Sequence, residues 1–119
     1  MLNKSNKRAT GSTGEDLAAK LLTLNGYSII EKNFRVRQGE IDIIARDGDY
    51  LCFIEVKARK DSSAGYPEEA VNFSKQMQIK KTALFYLNRH KLPENTPVRF
   101  DVIVILGNTY RIIKNAFEY

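Results

Sequence analysis

Two acidic residues and a lysine, Asp42, Glu55 and Lys57, lie within residues 39–57, a stretch whose pattern predicts two β-strands joined by a tight turn. Side chains alternate between the faces of a strand, so Glu55 and Lys57 share one face of the second strand. Residues 46–49 contain the Asp-Gly pair typical of a short hairpin, which makes the strands antiparallel. The hairpin is therefore expected to bring the three side chains together.

Such a group of side chains has a definite chemistry. Two carboxylates held a few ångströms apart raise each other's pKa unless a cation lies between them. Hard oxygen ligands with no histidine or cysteine beside them favour magnesium or manganese over zinc. A nearby lysine can hold an attacking water or stabilise the charge that builds on a phosphate. The spacing thus suits metal-assisted hydrolysis of a phosphodiester, but an exposed strand end with a structural ion pair explains it equally well.

The same residues resemble a known signature. An Asp on one strand followed by Glu-Xaa-Lys on the next is similar to the motif of the PD-(D/E)xK nuclease superfamily, which includes restriction enzymes and Holliday-junction resolvases. More narrowly, residues 39–45 and 53–57 resemble the YraN-like family of small bacterial endonuclease-like proteins. The likeness covers almost the whole chain and includes Gly26-Tyr27, Arg99-Phe100-Asp101 and Asn115-Ala116-Phe117.

The resemblance implies an α/β fold with a restriction-endonuclease-like αβββαβ core, in which helices flank a mixed β-sheet. It implies an endonuclease that cleaves DNA, with branched or recombination-type DNA as the substrate class. Asp42 and Glu55 would hold Mg²⁺ or Mn²⁺, and the Val56 carbonyl would add a ligand. Lys57 would position water or stabilise the transition state. The alternative is a non-catalytic module that uses the same fold to bind DNA or to dock on a partner protein.

Two further acidic residues have more than one interpretation. Glu15 lies in the first turn of a predicted helix and, with Ser12 three residues before it, matches a capping box. The resemblance implies instead that Glu15 helps at the metal site from its outer shell. Glu40 shares the predicted face of Asp42, where it is a third carboxylate near the metal, a partner for an arginine or lysine, or a charge at the start of the strand.

The balance of charge suits a polyanionic partner. Lys and Arg together number 19 against 14 Asp and Glu, a formal net charge of +5, although many proteins without such a partner are equally basic. The predicted contacts to a nucleic-acid backbone are Arg59, Lys60, Lys75, Gln76 and Lys80. For each of them a solvated surface side chain is the alternative. The expected partner is DNA, and a homodimer would let one site address each of two strands.

The rest of the pattern predicts one domain, residues 12–119, behind a flexible basic tail, residues 1–11. Helices are predicted from residue 12 or 13 to about 25, ended by Gly26, and from Pro67 to about Lys91 with a break near Ser74. Further strands are predicted over residues 27–34, 98–106 and 109–113. Strict alternation along the first hairpin strand places Asp42 and Ile44 on one face of the sheet and Ile41 on the other face.

Three single residues, Cys52, Asp101 and His90, have predicted structural roles. Cys52 is the only cysteine and is predicted to be buried on the face opposite Glu55, so neither a disulfide nor a zinc site is expected. Asp101 interrupts an apolar strand, which predicts a salt bridge with Arg99 or Arg111. His90, the only histidine, is predicted to lie at a helix end and not to act as a general base.

The sequence also gives an expectation for localisation. The N-terminus lacks the apolar stretch of a secretory signal, and no segment is long and apolar enough to span a bilayer. A single cysteine fits a reducing compartment. The protein is therefore expected to be cytoplasmic.

Overall fold

The computed structural model describes residues 14–60 and 71–118. Within them the chain forms a helix, three strands, a second helix and two strands, which is the predicted order. The elements are α1 (residues 14–24), β1 (Ser28–Val36), β2 (Gly39–Asp47), β3 (Tyr50–Arg59), α2 (Phe73–Arg89), β4 (Val98–Leu106) and β5 (Thr109–Phe117). The fold is α/β, with a five-stranded mixed sheet that is compatible with a restriction-endonuclease-like core.

The strands lie in the order β1-β2-β3-β4-β5. All neighbours are antiparallel except β3 and β4, which run parallel from the Leu51–Val98 pair to the Arg59–Leu106 pair. Parallel strands need a long crossover, and the chain between β3 and β4 includes α2. Because β3 lies at the centre of the sheet and is covered on both faces, it is apolar on both faces from Leu51 to Ile54.

The two helices pack on opposite faces of this sheet. Ile79, Ala83 and Tyr86 of α2 join one apolar cluster, which also contains Phe53 of β3. The ring of Tyr86 meets that of Phe53 edge-on, with centroids 5.7 Å apart. The α1 side has its own cluster, which includes Ala18, Leu22, Ile43, Cys52, Ile54 and Ile103. The burial of Cys52 confirms its predicted position.

The hairpin between β2 and β3 confirms the prediction from the Asp-Gly pair. Asp47 pairs with Tyr50, so the turn has two residues. Gly48 is the first of them and has a φ of +60°, a left-handed conformation that glycine adopts without strain. The turn thereby fixes the register with which β2 and β3 run back to their other ends.

One prediction about β2 was wrong. Ile41 packs in the α2-side cluster together with Ile44, whereas Ile43 packs on the α1 side, so alternation breaks at Asp42. The β2–β3 pairing begins only at Ile43 and Ile54. At the point where the ladder ends, the N–H of Val56 donates to Oδ2 of Asp42 at 2.8 Å. At this point the Asp42 carboxylate, and not a backbone carbonyl of β2, accepts the hydrogen bond from β3. Strand β2 therefore does not have to keep strict period-two geometry here.

The helix ends show which boundaries the local sequence determines. Gly26 has a φ of +93°, and the N–H of Tyr27 donates to the carbonyl of Leu22 at 3.0 Å, which confirms the predicted end of α1. The N-terminal half of the predicted capping box, Ser12, and the basic tail lie outside the described residues. Helix α2 begins at Phe73 after the cap Asn72, and the predicted start at Pro67 also lies outside them.

The later elements depart little from the predicted boundaries. Strand β4 has the predicted bounds, and His90 caps the C-terminal end of α2 as expected. Strand β5 is longer than predicted and continues to Phe117, through Asn115, which has a positive φ of 56°. None of the helices in the described ranges is long and apolar enough to cross a membrane.

Asp101 lies completely buried at the centre of a polar cluster. Arg99 donates to both of its carboxylate oxygens, with Nη2 2.8 Å from Oδ2, which confirms the predicted ion pair. The hydroxyl of Tyr27 donates to Oδ2 at 2.7 Å, and the N–H of Asn115 donates to Oδ1 at 2.9 Å. Arg99 also contacts Asp47 at 2.7 Å. This Asp101 cluster connects β2, β4 and β5 with Tyr27 in the segment between α1 and β1.

We predict that Asp101→Asn destabilises the fold strongly, because it leaves the half-buried Arg99 without its main counter-charge. Removing one partner of a buried ion pair costs about 3–5 kcal/mol in the free energy of unfolding, which urea denaturation measures. Asp16→Asn is the matched control: its ion pair with Lys32 is exposed, and its loss costs at most about 1 kcal/mol. Equal effects of the two substitutions would contradict the prediction.

We predict that Cys52 is inert in the folded protein. Burial raises the pKa of its thiol to about 12, and the side chain has no exposed surface. At mildly alkaline pH the folded chain should react with Ellman's reagent at least about 100-fold more slowly than the chain unfolded in urea. Rapid labelling of the native protein would contradict the burial that the structure shows.

Candidate active site

The structure brings Asp42, Glu55 and Lys57 together. Asp42 lies near the start of β2, and Glu55 and Lys57 lie near the end of β3. Since the two strands are antiparallel, the start of one meets the end of the other. Asp42 and Glu55 lie close enough for the charge of Glu55 to raise the pKa of Asp42, and Nζ of Lys57 lies 3.2 Å from Oε2 of Glu55. The catalytic and metal-binding roles expected of these residues stay predictions.

Asp42 is the most electrostatically perturbed acid of the site. Burial raises its pKa from the ordinary 3.8 to about 7, and the negative charge of Glu55 and the hydrogen bond between the two side chains act in the same direction. The N–H of Val56, which donates to Asp42, opposes this shift. Asp42 therefore binds a proton more readily than an ordinary aspartate does, and a cation beside it would relieve the repulsion from Glu55.

Two lysines contact Glu55. Its side chain is only 7% exposed, and Oε2 lies 3.2 Å from Nζ of Lys57 and 3.7 Å from Nζ of Lys75. Lys75 belongs to the first turn of α2, so it reaches the carboxylate from a different element. Its contact with Glu55 was not predicted, although Lys75 was among the expected contacts to a nucleic-acid backbone. The available signal was a lysine in the first turn of a helix, where acidic residues are favoured.

The two remaining acids occupy different surroundings. The negative charge of Glu15 adds to the raised pKa of Asp42, which places Glu15 close enough to the pair to act on it. Glu40 accepts a hydrogen bond from Nε of Arg35 at 3.1 Å. Of the three interpretations of Glu40, the structure thus supports the arginine partner.

The other predicted backbone contacts are spread along the chain. The side chain of Gln76 donates to the carbonyl of Val71 at 3.2 Å, and Nζ of Lys80 lies 5.9 Å from the centre of the Phe117 ring. Arg59 and Lys60 are exposed just beyond Lys57 at the end of β3. Of the five residues predicted to contact the nucleic-acid backbone, Lys75 is the one for which the structure shows a contact with the acidic pair.

The donors of the site fit a hard divalent cation. Mg²⁺ prefers oxygen ligands and is commonly held by one or two carboxylates while it keeps several waters. Asp42 and Glu55 supply two such carboxylates, and the negative charge of Glu55 is one cause of the raised pKa of Asp42. No group of three or more acidic, histidine or cysteine side chains arranged for a metal occurs in residues 14–60 and 71–118. The Val56 carbonyl stays a predicted ligand.

Comparison with known proteins agrees with the resemblance seen in the sequence. A family model described as Uncharacterised protein family UPF0102 matches residues 14–105. The chain belongs to the UPF0102 family. This is the YraN-like family that the hairpin motif indicated.

Relatives in the UPF0102 family match the chain almost from end to end. A UPF0102 protein of Lachnoclostridium phytofermentans is 50% identical over 113 residues, which cover 95% of this chain and 96% of the relative. UPF0102 proteins of Acetivibrio thermocellus and Clostridium tetani are 48% and 46% identical and cover 97% and 98% of this chain, with 95% and 99% of the relatives covered. These names state a family and no activity, so a function is inferred from the site itself.

We predict that the acidic pair makes stability depend on pH. Because the pKa of Asp42 is about 7 in the folded chain and 3.8 ordinarily, the folded state binds this proton more tightly than the unfolded state. In a metal-free buffer its contribution is fully present below about pH 4 and is lost as the pH rises towards 7. Asp42→Asn carries no charge and removes this dependence.

Urea denaturation in the presence of a chelator measures the effect. The stability of the wild type relative to Asp42→Asn should fall between about pH 4 and about pH 7 and then level off. Asp49→Asn, in the exposed hairpin turn, is the control for a lost aspartate and should show no such trend. A constant difference between wild type and Asp42→Asn would contradict the raised pKa.

Proposed function

We propose that this UPF0102 protein is a metal-dependent endonuclease-like enzyme that hydrolyses phosphodiester bonds in DNA, with branched or recombination-type DNA as its substrate class. The observation that carries the proposal is the convergence of Asp42, Glu55 and Lys57 where β2 begins and β3 ends. The formal net charge of +5 supports a polyanionic substrate. The likeness of the motif to PD-(D/E)xK nucleases supports the reaction type.

Each of the three residues has a distinct part in this proposal. Asp42 and Glu55 would hold Mg²⁺, which when bound supplies positive charge at the scissile phosphate. The N–H of Val56 fixes the orientation of the Asp42 carboxylate. Lys57 places its ammonium group 3.2 Å from Glu55, where it can orient water or stabilise the negative charge that builds on the phosphate oxygens. Because the acids lie on paired strands, the site needs little rearrangement to act.

Binding of the substrate backbone is assigned to basic side chains around this end of strands β2 and β3. Arg59 and Lys60 follow Lys57 at the exposed end of β3. Phosphate contacts of this kind hold and orient DNA without reading its sequence. The proposal therefore expects binding that weakens as the salt concentration rises.

A non-catalytic DNA-binding module is the second candidate. One observation favours it: Glu55 already has two lysine partners, and among the described residues no third acid completes a three-ligand group. A site of this kind would hold DNA at the same end of strands β2 and β3 without cutting it. The two functions differ in whether DNA is cleaved when a divalent cation is added.

Cleavage is tested on single-stranded, duplex, flap and four-way-junction DNA with Mg²⁺ or Mn²⁺. We predict metal-dependent cutting that falls at least about 100-fold in Asp42→Ala and in Lys57→Ala, because each removes a group that acts on the reacting phosphate. Asp49→Ala and Lys32→Ala are matched controls, since they remove an exposed acid and an exposed lysine outside the site. They should cut as the wild type does.

The outcomes separate the candidates. Cutting that survives in Asp42→Ala or Lys57→Ala would contradict the assigned site. Salt-sensitive DNA binding without cutting would favour the binding module. If neither cutting nor salt-sensitive binding occurs, both candidate functions are wrong.

A further inference from the structure

Glu55 has more positive charge around it than one carboxylate needs. Both ammonium groups approach the same oxygen, Oε2, from Lys57 on β3 and from Lys75 on α2. Asp42 is the acidic neighbour of Glu55, and the charge of Glu55 raises its pKa. The second lysine therefore needs an explanation beyond simple neutralisation of Glu55.

The position of Lys75 is unfavourable for α2 itself. Lys75 is the third residue of the helix, and its N–H donates to the cap residue Asn72 at 3.0 Å. The N-terminus of a helix carries partial positive charge and favours acidic side chains, typically a glutamate at this third position. The first turn of α2 contains no acidic residue. Helix formation alone thus disfavours a lysine here, and the contact with Glu55 offsets the cost.

The two lysines are held to different degrees. Lys57 belongs to the central strand, where its backbone pairs with Val104 of β4. Its side chain is 20% exposed and lies within hydrogen-bond distance of Glu55, at 3.2 Å. Lys75 is 30% exposed and lies at 3.7 Å, an ion-pair distance without a hydrogen bond. Of the two, Lys75 has the weaker hold on Glu55 and the freer path to solvent.

We propose that Lys75 is an exchange residue: it neutralises Glu55 while the site holds no metal, and it moves to a phosphate of the DNA when a divalent cation takes its place. This inference rests on the proposed function and adds to it a link between metal and substrate binding. A cation and Lys75 compete for the same carboxylate, because like charges repel at this distance. Lys75 thus weakens metal binding in the free protein and strengthens DNA binding when metal is present.

The test uses Lys75→Met, which keeps most of the side-chain length and removes the charge. Mn²⁺ binding is measured by calorimetry without DNA. DNA binding is measured by fluorescence anisotropy on a labelled duplex with Ca²⁺ as the added cation, across a range of salt concentrations. Lys75→Arg is the rescue variant, and Lys81→Met, which is exposed on another side of the same helix, is the matched control.

The expected results have opposite signs for the two ligands. Lys75→Met should bind Mn²⁺ about fivefold more tightly or better, because a competitor is gone. It should bind DNA more weakly, with a salt dependence that is smaller by about one counterion. Its melting temperature should equal or exceed that of the wild type, because a cation has left the helix N-terminus. Lys75→Arg should stay near the wild type, and Lys81→Met should leave Mn²⁺ affinity unchanged.

Other outcomes identify which idea has failed. If Glu55→Gln abolishes Mn²⁺ binding but Lys75→Met does not tighten it, the exchange role is wrong and the proposed metal site stands. If the wild type shows no Mn²⁺ binding that depends on Glu55, both the exchange role and the metal-dependent function are overturned. A lower melting temperature with weaker binding of both ligands would make Lys75 a structural residue and overturn the exchange role.

Discussion

The close approach of Asp42 and Glu55 is the constraint on which the rest of the site depends. Two carboxylates in a half-buried position repel, and an unconstrained chain would separate them. Here the pairing of Ile43 with Ile54 and the hydrogen bond from Val56 to Asp42 hold them at adjacent positions of paired strands. The apolar clusters on both faces of the sheet stabilise that register, so the free energy of the core maintains an unfavourable local arrangement.

The Asp101 cluster is an example, in the same sheet, of a buried carboxylate whose negative charge is balanced by hydrogen-bond donors and an arginine. Asp101 is fully buried, yet it accepts hydrogen bonds from Arg99, Tyr27 and the N–H of Asn115. Asp42 instead has one backbone donor and a second carboxylate as its neighbours. The first arrangement is what fold stability favours, and it fixes the end of the sheet where β4 begins. The second has no evident benefit for folding, which is why the site and not the Asp101 cluster is assigned the function.

The sequence was informative wherever structure is local. Period-two alternation and the Asp-Gly turn correctly placed Glu55 and Lys57 on one face, and the polar interruption of an apolar strand predicted the Asp101–Arg99 pair. Features that depend on how elements pack were not predictable in this way. The contact between Lys75 and Glu55 joins residues 20 positions apart in sequence and depends on where α2 lies on the sheet. The change of face at Ile41 depends on a side chain that replaces a backbone partner, which no periodic pattern encodes.

The balance of charge at Glu55 bears on the choice between enzyme and binding module. Two acids with no third beside them in the part of the chain that the structure describes would suggest a weak metal site. Two lysines at one of these acids would suggest a carboxylate whose charge is already balanced. Both features are also expected of a site that binds its cation more tightly when DNA is present, because a phosphate brings further oxygen ligands and draws a lysine away. Helix α2 fits that condition, since it carries Lys75, Lys80, Lys81 and Arg89 and no acidic residue. The lack of a third acidic ligand among residues 14–60 and 71–118 is therefore no argument against catalysis.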